Sequence, residues 1–245
     1  MIRDFTGNDY EEILEEVLIK ILANGSTSLN QIVNFFRLLD SPKVELPELQ
    51  SDYSINNRTI HIIKTSRELE DAIKSMKTTP FIGFDSEQKP TFKKGEKSHG
   101  ISVIQLASQS DCYIIQIKQI SNIKPILSLL EDDKIIKVGT GLKGDKDELY
   151  KQFKIRLKST IDLEEILNKL SAKQNIGAKK SASIFLNKNL QKSKRMSRSN
   201  WENKSLTDGQ IKYAAEDATV VYDLLTTIIN EYPFIIKVMP KFFKL

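Results

Sequence analysis

Asp85 and Glu87 stand one residue apart at the close of an apolar stretch, FIGFDSE, residues 81–87. Residues i and i+2 of a strand point to one face, so the two carboxylates would project together. Carboxylates held side by side repel each other unless a cation lies between them. Ligands made of oxygen alone suit a hard divalent ion such as Mg²⁺ or Mn²⁺. His61 and His99 lie away from the pair in sequence, which gives zinc little support. Taken alone, D-x-E is better explained by an Asp that begins a turn and a solvated Glu.

A helix expected from Thr207 to about Tyr232 adds weight to the metal reading. On a wheel of 100° per residue, Ile211, Ala214, Ala218, Tyr222 and Leu225 form an apolar stripe. Tyr213 and Asp217 share the neighbouring face one turn apart, and that face continues as Val220, Val221 and Leu224. Asp217 therefore interrupts a face patterned for burial, where an unpaired carboxylate is costly and a metal ion would relieve the cost. An Asp at a half-exposed edge, with Tyr213 as ordinary packing, explains the same residues. A third acid, Asp145, follows the glycine turn of VGTGLKGDKDEL, residues 138–149. Helix starts are commonly acidic, and spacing alone does not set Asp145 apart from Asp147 or Glu148 as a ligand.

The elements that must position these groups follow from periodicity. TIHIIKT, FIGFDSE, ISVIQLAS, CYIIQI and KIIKVGTG have the composition of strands. RELEDAIKSMK, KPILSLLED, KDELYKQF, DLEEILNKL and KKSASIFL have the pattern of helices. Thr65 with Glu68, and Thr207 with Gln210, have capping-box spacing. Strands concentrated early and helices later predict an α/β sheet flanked by helices. Before them, YEEILEEVLIKILA and LNQIVNFFRLL predict two amphipathic helices, stopped and capped around Gly25 and Thr27 or Ser28 and followed by a proline-containing linker. Two such helices bury little core alone, so residues 1–55 are expected to pack on the main domain, on a protein partner or on a second copy.

The totals bound the function. The chain has 245 residues, 40% hydrophobic and 28% charged, with a net charge of +5, the balance of a soluble globular protein. No apolar run approaches the ~20 residues that span a bilayer, so no membrane partner is expected. One cysteine, Cys112, excludes an internal disulfide. The opening residues lack the basic-then-apolar order of a signal peptide, and the expected compartment is the cytoplasm. The stretch 188–198 gathers Lys188, Lys192, Lys194, Arg195 and Arg198 without an acid, which fits phosphate contacts or a solvated basic loop. Trp201, just beyond, is better read as packing than as a base-stacking platform.

Together the motifs resemble the DEDDy 3′–5′ exonucleases, and within them the exonuclease domain of the Werner syndrome helicase and its stand-alone bacterial relatives. FIGFDSE is similar to the first motif, VGTGLKGDKDEL to the second and YAAEDA to the third, Y-x-x-x-D; VIQLAS and RSNWENKSLTDGQ follow the same pattern. The histidine branch would place a histidine five residues before the last Asp, where this chain has Lys212. The resemblance implies a ribonuclease H-like mixed sheet over residues 56–235, with a helical extension and linker over 1–55 and a tail over 236–245. It implies Asp85, Glu87, Asp145, Tyr213 and Asp217 as catalytic residues, the four acids holding two Mg²⁺ or Mn²⁺ ions. Asp85 would bridge both ions, Glu87 and Asp217 would hold the water-activating one, Asp145 would act on the second, and Tyr213 would orient the attacking water. The substrate would be the 3′ end of DNA or RNA, held through Lys192, Lys194, Arg195 and Arg198. Where the Werner-type motif follows D-x-E with a tryptophan, this chain has Gln88 and Lys89, so no duplex preference is carried over. The competing expectations are a binding module of the same fold that does not cut, and an exonuclease restricted to very short oligonucleotides.

Overall fold

The computed structural model describes residues 29–40, 51–55, 58–93, 95–171, 175–240 and 243. Its centre is a six-stranded sheet: β1 (Thr59–Ile63), β2 (Phe81–Gln88), β3 (Ile101–Ala107), β4 (Asp111–Gln116), β5 (Ile136–Gly139) and β6 (Thr160–Asp162). The spatial order is β1-β4-β3-β2-β5-β6. β2, β3 and β4 pair antiparallel, whereas β1 joins β4, β5 joins β2 and β6 joins β5 in parallel. The mixed sheet agrees with the fold class expected from the sequence.

Period-2 alternation sorts the two faces. Ile82 and Phe84 of β2, Ile104 and Leu106 of β3, and Tyr113 and Ile115 of β4 enter one core cluster. That cluster is covered by α2 (Ser66–Met76), α3 (Lys124–Glu131) and α4 (Lys143–Phe153) through residues such as Leu69, Ile73, Leu129 and Leu149. The opposite face is covered by the 24-residue α8 (Asp208–Glu231), which lies against β2, β3, β4 and β5. Between α4 and α8 come α5 (Leu163–Leu170), α6 (Ala178–Leu186) and the short α7 (Lys194–Ser197). The two expected capping boxes are present, at Thr65 with Glu68 and at Thr207 with Gln210.

Of the two expected N-terminal helices, the first lies outside the described residues. The second is α1 (Leu29–Asp40), which buries Ile32, Phe35 and Leu39 in a core cluster shared with α5, α6 and α8. Phe35 packs at 5.8 Å from Phe185, 5.4 Å from Tyr232 and 5.2 Å from Phe234, between ring centroids. Part of the expected linker is also tied down. Tyr53 N–H donates to the Asn189 carbonyl at 2.9 Å, and the Tyr53 hydroxyl donates to Asp223 Oδ2 at 2.7 Å.

Candidate active site

Gly83, Asp85 and Glu87 share the face of β2 that meets α8. At Gly83 the helix comes so close that a Cβ would lie 2.0 Å from the Ala218 carbonyl oxygen. Glycine is required by this approach, because any side chain would push the helix off the strand. Ala218 is the residue after Asp217, so the contact delivers Asp217 to the strand two residues from Asp85. One carboxylate oxygen each from Asp85, Glu87 and Asp217 lie within 4.8 Å of one another. Asp217 is only 5% exposed, and Asp85 and Glu87 are half-buried.

Asp145 reaches the same region from the first turn of α4. The Ser86 hydroxyl, between the two acids of β2, donates to Asp145 Oδ1. The turn that launches α4 runs through Gly141 at φ +68°, a conformation that favours glycine. Asp162, at the end of β6, pins that turn: its Oδ1 accepts from Gly141 N–H at 3.0 Å and its Oδ2 from Leu142 N–H at 2.8 Å. The same side chain caps α5.

Tyr213 sits one turn before Asp217 and is nearly buried. Trp201 is fully buried with its ring 6.2 Å from Tyr213, in keeping with packing rather than base stacking. Of the four cations singled out in the basic stretch, Lys194, Arg195 and Arg198 are exposed. Lys192 is exposed as well, but its ammonium reaches the site and donates to Asp217 Oδ1 at 2.5 Å.

The electrostatics follow from this crowding. Burial pushes Asp85 well above the usual carboxylate range, and the charges of Asp217 and Asp145 add to the shift. Glu87 is pushed up to about 10, by burial first and Asp85 second. Burial also raises Asp217, against the pull of Lys192. Tyr213 is raised by burial and by Asp217, so its phenol keeps its proton at neutral pH. Carboxyl groups that disfavour their own ionised forms, gathered with oxygen atoms alone, are the donor set of a hard divalent cation. His61 pairs with Asp111 at 2.7 Å and His99 with Glu96 at 3.2 Å; neither belongs to the carboxylate group.

Residues 60–232 match the 3′–5′ exonuclease domain family. The chain belongs to that family. It is 36% identical to the mouse bifunctional 3′–5′ exonuclease/ATP-dependent helicase WRN over 152 residues, 61% of this chain and 11% of that protein. It is 27% identical to an Arabidopsis thaliana 3′–5′ exonuclease over 172 residues, 69% of this chain and 58% of that protein. The exonuclease fold also superposes on an RNase D of Trypanosoma brucei solved in complex with RNA. That superposition has a TM-score of 0.63 and 19% identity, and covers 71% of this chain and 64% of the other. The chain thus spans just over half of the Arabidopsis protein and a small part of the mouse one. The matched region is the 3′–5′ exonuclease domain of that family, carried on the mixed, ribonuclease H-like sheet described above. Among the described residues, no helix is long and apolar enough to cross a membrane.

Three contributors lie outside the residues the sequence singled out for these roles. Ser86 stood in view inside D-S-E, but a serine there has no diagnostic spacing. Asp162 read as a helix start, and its bonds to Gly141 and Leu142 span some twenty residues. Lys192 was expected on the phosphate side, and nothing in its spacing announces the bond to an acid 25 residues away.

Proposed function

We propose that this protein is a metal-dependent exonuclease that removes nucleotides from the 3′ end of a nucleic acid by two-cation hydrolysis. The observation that carries the reading is the gathering of Asp85, Glu87 and Asp217 oxygens within 4.8 Å, drawn from a strand and a helix some 130 positions apart. Mg²⁺ or Mn²⁺ would be held by these three carboxylates, with Asp145 serving a second ion from the position that Ser86 gives it. Bound there, the cations would make a water acidic enough to attack phosphorus and would steady the departing oxygen.

The protein's own groups divide the remaining work. Tyr213, its phenol kept protonated, is suited to orient the attacking water rather than to take its proton. The water oxygen forms the new bond to phosphorus as the bond to the 3′ oxygen of the preceding nucleotide breaks, and that oxygen takes up a proton. Lys194, Arg195 and Arg198 face solvent just beyond Lys192 in the chain and would hold phosphates of the incoming strand without reading its sequence. Lys192 reaches the acids themselves. A module that only binds would have no use for buried carboxylates at the point where the phosphate must sit.

The test is incubation with 5′-labelled DNA and RNA oligomers of several lengths, in Mg²⁺, Mn²⁺ or EDTA. A ladder shortening from the 3′ end, dependent on the cation, is the expected result. Retained strand binding without any shortening would favour the silent binding module, and shortening confined to the smallest oligomers would favour the restricted exonuclease.

A further inference from the structure

The Lys192 ammonium lies 2.5 Å from Asp217 Oδ1, on one of the three carboxylates of the candidate metal site. It also lies over the face of Tyr213, 5.7 Å from the ring centroid. Its side chain is 34% exposed, so the ammonium lies at the rim of the acid cluster rather than sealed within it. The segment that carries it is fixed. Leu190 is fully buried, the side-chain amides of Asn189 and Gln191 donate to Asp52 Oδ1 at 2.8 and 3.1 Å, and Ser193 caps α7. From this anchored base a flexible four-carbon stem reaches Asp217, and it can swing away without moving the loop.

Asp217 has little room for two cations. Its carboxylate is nearly buried and already accepts from the ammonium. A divalent ion would need the oxygen that Lys192 occupies, and would repel an ammonium left beside it. We infer, on the footing of the metal-dependent reading above, that Lys192 and a divalent cation exclude each other at Asp217. In the metal-free protein the lysine is a tethered counter-ion that holds the acids together. Its displacement sets how tightly the divalent cation binds and frees the ammonium for a phosphate oxygen of the strand.

The test is calorimetric titration of Mn²⁺ into the 245-residue chain at pH 8, for wild type, K192M and K192R. K192M should bind Mn²⁺ about tenfold more tightly than wild type, a usual size for coupling between two ligands, whereas K192R, which keeps the charge, should stay near wild type. A second measurement needs no variant to fold. Acetylation of wild-type lysines read by mass spectrometry should find Lys192 protected in EDTA and reactive in Mn²⁺, with exposed Lys194 unchanged. Wild-type Mn²⁺ binding that K192M leaves unchanged or weakens would overturn the exclusion while leaving the metal site standing, as would Lys192 reactivity indifferent to Mn²⁺. No Mn²⁺ binding by wild type would overturn the metal site, and the exclusion with it.

Discussion

Each acid of the site disfavours its own charge in the metal-free protein, and that has consequences at the level of single residues. Glu87 moves from an ordinary value of 4.5 to about 10, so between these pH values the folded chain binds more protons than the unfolded chain. Stability must then fall as pH rises across that window. Thermal unfolding in EDTA should give a lower Tm at pH 9 than at pH 6, with the difference reduced in Glu87→Gln. Added Mg²⁺ should recover more stability at pH 9, where it replaces a proton that is no longer supplied. Asp85→Ala and Asp217→Ala should bring the rate of 3′ shortening below detection, because each removes a ligand from the shared centre. Tyr213→Phe should leave a remnant, with turnover reduced about 100-fold if the hydroxyl only orients water. Ser86→Ala frees Asp145 rather than removing it, and loss of such a supporting bond should cost about 10–100-fold in Mn²⁺ affinity or turnover. Single-turnover kinetics across a Mn²⁺ titration would separate these effects.

At the scale of elements, the site depends on how closely α8 is pressed on β2. Gly83→Ala would place a methyl group 2.0 Å from a backbone carbonyl, which no side-chain rotation can relieve. The substitution should cost about 1–3 kcal/mol by urea unfolding and should lower activity at saturating substrate by moving Asp217 away from Asp85. The long helix itself was legible in the sequence, because Thr207 and Gln210 announce its start and its apolar faces run on for six turns. The strand carrying Asp85 and Glu87 was equally plain, since the short apolar run FIGF marks its start. β6 was not: three residues, Thr160–Asp162, are too few to show a period. α7 was hidden for the same reason, as four residues within a basic stretch. The close contact at Gly83 also escaped, because a glycine inside a strand does not say which neighbour it admits.

Across the whole molecule, a polar cluster among the described residues helps tie the N-terminal segment to the helix of the candidate site. Arg58, its side chain 5% exposed, pairs with Asp223 Oδ1 at 2.5 Å, and Tyr53 bonds the other oxygen. Asp223 lies on α8, six residues beyond Asp217, so this cluster ties the approach to β1 onto the helix that carries the site. Asp223→Ala would strand the buried guanidinium and should cost roughly 3 kcal/mol by urea unfolding, toward the low end for a broken buried pair. The three motifs pointed to the site because they recur in order along the chain, but their meeting in space was an expectation until the sheet order put β2 beside β5 and under α8. Asp145 was the least legible of the acids, since its place depends on the Gly141 turn and on Asp162 from another strand. Whether these acids form a divalent-cation centre is read from anomalous scattering by crystals grown with Mn²⁺. A manganese peak enclosed by Asp85, Glu87 and Asp217, with the Lys192 ammonium moved off Asp217, is the expected result. Crystals at saturating Mn²⁺ with no peak among those three carboxylates would contradict it.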